Sequence, residues 1–114
     1  MRTNDKRFAD AEHFMSCYFN QDWKAILEGE NRPPTVDGSI AFAIHRNPPE
    51  ALREMTESLQ LVLQENLSEN ELSELFFNQG AMAYDPVRDY RTLRAFTQYI
   101  LNALLRSSKL KTTS

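Results

Sequence analysis

The stretch from Pro49 to Asn66 constrains the fold of this chain more than any other. Leu52, Met55, Leu59, Val62 and Leu63 recur there at helical spacing and form one apolar stripe, the pattern of a helix of about five turns lying on a core. Asn47-Pro48-Pro49 marks its start, because proline ends a preceding helix and fits the first turn of the next. A lone amphipathic helix is marginal in water, so other elements must cover that stripe. No alternation of apolar and polar residues long enough for a strand occurs elsewhere, and there is no internal repeat. The covering elements are therefore helices. The expected class is all-α, a small bundle of four to five helices.

Upstream, Phe8, Ala11, Met15, Tyr18 and Phe19 predict a first helix from about Asp5 to Phe19. It ends in Tyr18-Phe19-Asn20-Gln21-Asp22-Trp23, which packs aromatics, an amide pair and an acid into one short corner. Helical phase puts Tyr18 and Phe19 on the buried stripe. Asp22 is placed either to cap a short turn at Lys24 to Leu27 or to act from a functional corner. Glu28 to Pro34 reads as a loop, and Asp37 or Ser39 as the cap of a helix ending near Arg46 that buries Ile40, Ala43 and Ile44. Downstream, Ser68 and Glu71 have capping-box spacing, with Leu67 and Leu72 as a hydrophobic staple. The helix they open, about Glu69 to Asn78, buries Leu72, Leu75 and Phe76 and stops at a left-handed Gly80. Ala81 to Pro86 is read as irregular with Tyr84 in the core. A last helix from Arg88 or Asp89 to Arg106 turns Leu93, Phe96, Ile100 and Leu104 inward and Arg91, Arg94 and Gln98 outward. Residues 1–114 form one domain, with 1–5 and 107–114 frayed.

Of the 114 residues, 41% are apolar and 25% charged, enough for a core without staples. The single cysteine, Cys17, has no partner for an internal disulfide. With no signal-like or spanning apolar run, a soluble cytoplasmic protein is expected. Signatures of catalysis are missing: no Gly-rich phosphate loop, CxxC, HExxH or calcium loop is present. His13 and Cys17 share a helix face, but two ligands fall short of the three or four that zinc takes. No catalytic, cofactor-binding or metal-ligating residue is expected.

Charge is distributed unevenly. Between Glu50 and Glu74 there are seven acids against Arg53 alone; between Arg88 and Lys111 there are six bases against Asp89 alone. The basic end permits a second reading, a small nucleic-acid-binding regulator using Arg88, Arg91 and Arg94 beside Tyr90, with Lys109 and Lys111. The isoelectric point of about 5.4 opposes it. On the acidic side, the long helix carries Glu54, Glu57, Ser58 and Glu65 around Leu61. Either that helix is buried on a second side, or this is a partner surface with an apolar centre.

Three stretches together resemble the immunity proteins of bacterial contact-dependent growth inhibition systems, the CdiI type. They are the corner Tyr18 to Trp23, the junction Leu59 to Leu75 centred on Leu67-Ser68-Glu69, and the block Gly80, Tyr84-Asp85-Pro86 and Tyr90-Arg91. In order and spacing the resemblance covers about Phe14 to Leu105. It implies a helical, non-enzymatic protein of the cytoplasm that needs no cofactor. Its partner would be the C-terminal toxin domain of a large secreted effector, commonly a nuclease, bound one-to-one, with no membrane and no direct nucleic acid involved. The toxin-binding residues expected on this reading are Asp22, Glu54, Glu57, Leu61 and Glu65.

Overall fold

The computed structural model describes residues 2–107 and 109, and every regular element among them is helical. Two short 3-10 turns, Arg2–Asn4 and Lys6–Phe8, lead into α1 (Ala9–Tyr18), α2 (Trp23–Gly29), α3 (Val36–Arg46) and α4 (Pro49–Gln64). Next comes α5 (Glu69–Ser73), which continues in π geometry over Glu74–Gln79, and then α6 (Val87–Tyr90) and α7 (Leu93–Leu105). The long helix α4 is central, packed on α1 and on α7, while α3 and α5 also rest on α7. The all-α class holds. The bundle has seven α-helices among the described residues rather than four to five.

The corner at the end of α1 is the core's meeting point. Phe19 is fully buried, with ring centroids of Phe96 at 5.2 Å, Trp23 at 5.3 Å, Tyr84 at 5.9 Å and Phe14 at 6.4 Å. Aromatic pairs at such distances add about 0.5–1.5 kcal/mol beyond the area they bury. The Phe19 carbonyl accepts from Ala83 N–H at 2.8 Å, and the Tyr18 carbonyl from the Ser39 hydroxyl at 2.6 Å. One corner thus ties α1 to α3 and to the 81–86 segment. Trp23, only 8% exposed, belongs to this core.

Several local expectations change. A full helix, α2, stands where a turn and then a loop were expected, and Asp22 heads it without a side-chain capping bond. Its own N–H is instead taken by Asn20 Oδ1 at 2.9 Å. Thr35, not Asp37 or Ser39, caps α3 by accepting from Gly38 N–H at 3.0 Å. Ser39 is occupied with Tyr18, and Asp37 accepts from the Tyr99 hydroxyl. Ile40 and Ala43 are buried as expected, but Ile44 is half-buried, and Phe42 lies in the core in its stead.

In α4 the predicted stripe is buried, with Leu63 at its half-buried margin. Ser58 is buried too, so α4 is covered over part of a second side, one of the two readings its sequence left open. Its hydroxyl donates to the Arg7 carbonyl at 2.7 Å and accepts from Ala11 N–H at 3.0 Å. The start of α1 lies against that side of α4, and Ser58 satisfies one of its free first-turn donors.

The capping box at α5 forms as expected: Ser68 Oγ accepts from Glu71 N–H at 3.1 Å, and the Glu71 carboxylate from Ser68 N–H at 2.9 Å. Leu67, Leu72, Leu75 and Phe76 are all buried. Gly80, however, is not left-handed; its φ is −89°, and Ala81 takes the positive φ of 53°. Gly80 is there for close approach. A Cβ would stand 3.0 Å from the Phe76 carbonyl oxygen and 3.1 Å from that of Glu12.

The last helix is broken. Arg91 at φ 73° ends α6, and Thr92 restarts the chain as the cap of α7, accepting from Ala95 N–H at 3.0 Å. The Glu69 carboxylate also receives Leu93 N–H at 2.8 Å and Arg94 N–H at 3.1 Å, so α5 fixes where α7 begins. Of residues 107–114, expected to fray, only Ser107 and Lys109 are among the described residues; Lys111 is not. No helix of the described residues is long and apolar enough to cross a membrane.

Candidate functional site

Helical spacing decides what the outer side of α4 presents. Glu54, Glu57 and Leu61 are three and four residues apart, so they share one face. Opposite them stand Arg7, in the Lys6–Phe8 turn, and Asp10, at the start of α1. Between the two runs an open groove of about 410 Å³, with Glu54 and Glu57 exposed and Leu61 half-buried. Leu61 packs against the core on its inner side and leaves part of its side chain in the groove.

Electrostatics along the groove favour a cationic visitor. Arg7 is the base in its lining, and this guanidinium is already engaged with the Asp5 carboxylate and, at 3.1 Å, with Glu65. The Arg7 hydrogen bonds hold the Asp5 carboxyl below the usual carboxylate range, so the pair stays charged and mutually satisfied. Asp10, Glu54 and Glu57 then set the sign of the potential. Charges of one sign along a cleft attract oppositely charged partners and raise association rates.

Of the five residues singled out in the sequence, the structure brings Glu54, Glu57 and Leu61 together in this groove. Glu65 sits at the end of α4 and reaches the groove through Arg7. Asp22 stands apart, exposed at the head of α2, which packs on α3. Arg7 and Asp10 were not foreseen. They come from the Lys6–Phe8 turn and the start of α1, and only the packing of both on α4 places them here.

The other chemistry weighed from the sequence finds less support. Cys17 Sγ lies 3.3 Å from His13 Nε2, and burial pushes its thiol above the ordinary range. Among the described residues no group of three or more His, Cys, Asp or Glu side chains is placed to hold a metal ion. At the basic end, Arg94 donates to the Leu67 carbonyl at 2.9 Å and to Asn66 Oδ1 at 3.1 Å, so its charge serves the end of α4. Tyr90 packs on Phe96 and Tyr99, and Lys109 donates to the Ile44 carbonyl at 2.9 Å. An electrostatic stripe for nucleic acid therefore loses three of its members to the fold.

Fold and groove together define a small helical protein with an acidic, apolar-centred cleft on one face. A profile of the CdiI immunity protein family matches residues 7–104, and the chain belongs to that family. Its fold is similar to that of a chain in the crystal structure of a CdiA-CT/CdiI complex from Y. kristensenii. The TM-score is 0.75 over 89% of this chain and 96% of that one, at 17% sequence identity. No curated protein matches the sequence significantly.

Proposed function

We propose that this protein neutralises the C-terminal toxin domain of a contact-dependent growth inhibition effector by binding it one-to-one in the cytoplasm of the cell that makes both. The observation that carries this reading is the family match over residues 7–104. The pairing of CdiA-CT with CdiI in the structurally similar complex supports the same partner here. The α4 groove supplies the surface. Glu54 and Glu57 meet cationic side chains of the toxin, Leu61 is the desolvated apolar contact at the centre, and Glu65 completes the acidic rim through Arg7. Asp22 is a separate contact at the head of α2.

A nuclease fits this surface best as the toxin, because a phosphate-binding site has to display Lys and Arg. An acidic inhibitor covers such a site or its border directly. A stable interface buries roughly 800 Å² on each partner, so the groove is its centre and the flanks of α1 and α4 its periphery.

The test is to express the toxin domain encoded next to this gene and titrate it with the purified protein by calorimetry. A one-to-one complex of nanomolar affinity, with toxicity abolished in cells that carry both, is the expected result. Absence of measurable binding removes the proposal. Nuclease action is checked separately, by whether the domain alone degrades RNA or DNA and stops when this protein is added.

A further inference from the structure

The acids at the α4 groove are not alike. Among the described residues none of Asp10, Glu54 and Glu57 is paired with a base, whereas Glu65 already holds the Arg7 guanidinium at 3.1 Å. Arg7 is the single base in the groove's lining, beside Asp10, Glu54 and Glu57. In the free protein a cation therefore stands at one end of a groove whose other charges attract cations.

The hold on Arg7 is uneven. Its backbone is fixed: the carbonyl accepts from the Ser58 hydroxyl at 2.7 Å, the N–H donates to Asp5 at 2.9 Å, and the next residue, Phe8, is buried. The side chain is 60% exposed and grips Asp5 through Nε, at 3.0 and 3.1 Å to its two oxygens, and again through Nη2. Glu65 is met by one donor, Nη2. Asp5, ahead of Glu65, raises the pKa of the guanidinium and is its principal partner. Exposed ion pairs contribute little to stability, so Arg7 can release Glu65 while Asp5 keeps hold of it.

We propose that Arg7 is an internal stand-in for the toxin's cation. Its guanidinium fills the Glu65 end of the groove in the free protein, and on binding it yields that carboxylate to a Lys or Arg of the toxin while remaining tethered to Asp5. The inference rests on the reading of the α4 groove as the toxin-binding surface. The contact itself carries the occupant's chemistry, since a guanidinium already fits against Glu65. Arg7 thereby sets selectivity. A partner with no cation at this position leaves the Arg7–Glu65 pair closed and meets a positive charge in its place.

The experiment titrates the toxin domain into the full chain and into Arg7→Gln by calorimetry. Arg7→Gln keeps the backbone N–H that Asp5 accepts and removes the competing cation. It should bind about fivefold more tightly, the reverse of what loss of a toxin contact gives. Arg7→Lys, which retains the charge without the fork that spans both carboxylates, should gain less. Lys6→Gln removes an equal charge one residue away, outside the lining, and should change affinity by less than Arg7→Gln. Partial unfolding of a variant lowers the stoichiometry and leaves the dissociation constant to report the groove. Arg7→Gln binding no tighter than wild type, or a gain matched by Lys6→Gln, overturns the inference and leaves the proposed function standing. No binding by the wild-type chain sinks both.

Discussion

The carboxylate of Glu69 accepts the backbone N–H of Arg94 at 3.1 Å, while the Arg94 guanidinium reaches back to the Leu67 carbonyl at 2.9 Å. The junction of α4 with α5 and the start of α7 therefore secure each other. A carboxylate at a helix N-terminus and a cation at a helix C-terminus are both favourable against the macrodipole. Arg94→Ala should cost about 1–3 kcal/mol, since it strands carbonyls that now receive a charged donor. Glu69→Ala should cost about 1 kcal/mol, as loss of a cap does. Thermal and urea unfolding of the two variants measure both. An Arg94→Ala protein as stable as the wild type would return this arginine to the pool available for nucleic acid.

Ser58 is a hinge point of a different kind. Its hydroxyl serves two distant backbone groups, Arg7 C=O in the Lys6–Phe8 turn and Ala11 N–H in α1, and at 5% exposure water does not replace it. Ser58→Ala should lower stability by about 1–3 kcal/mol, while Ser58→Thr, which keeps the hydroxyl but adds a methyl, should recover part of it. Urea midpoints with an unchanged slope are the check.

Gly80 and Ala81 make opposite predictions in adjacent positions. Gly80→Ala drives a methyl against the backbone oxygens of Phe76, Glu12 and Leu75, 3.0 to 3.2 Å away, and should cost about 1–3 kcal/mol. Ala81→Gly relieves a left-handed residue at φ 53° and, after the entropy that glycine adds to the unfolded chain, should be neutral or stabilising by up to about 1 kcal/mol. Destabilisation by Ala81→Gly in the same assay counts against the left-handed turn.

The Tyr99 hydroxyl donates to Asp37, and that bond, together with burial, pushes its pKa up to about 12. An unperturbed phenol titrates near about 10. Because the folded value is the higher one, the pair's contribution to stability is complete below about pH 10 and is lost as pH rises through about 12. The absorbance titration of wild type minus Tyr99→Phe should show one phenol with a midpoint close to the upper value. A midpoint at the ordinary phenol value contradicts the bond.

Periodicity and capping chemistry carried most of the core. The α1 and α4 stripes, the Ser68–Glu71 box and the buried face of α7 are local patterns, and local patterns are visible in a sequence. What escaped depends on contacts distant along the chain. Whether the Ser58 side of α4 is covered could not be decided locally, because its partners, Arg7 in the Lys6–Phe8 turn and Ala11 in α1, lie far off in sequence. The break at Arg91 follows from Glu69 and Thr92 both supplying acceptors to α7, and Glu69 is far from it in sequence. Gly80 carried the usual mark of a left-handed stop, yet the reason for a glycine there is the nearness of the Glu12 carbonyl on α1. At the site, Glu54, Glu57 and Leu61 were legible as one helix face, whereas the opposite wall from Arg7 and Asp10 exists only once α1 packs on α4.

Binding of the toxin domain at the α4 groove, as proposed, is tested by calorimetric titration of that domain into wild type and into Glu57→Lys with Leu61→Ala. Both positions are at least partly exposed, so the folded state should persist, which the melting temperature verifies. The double variant should bind at least about a hundredfold more weakly, a loss of about 2.7 kcal/mol or more, with protection of toxin-producing cells abolished. An affinity equal to that of the wild type, at an equal melting temperature, would contradict it.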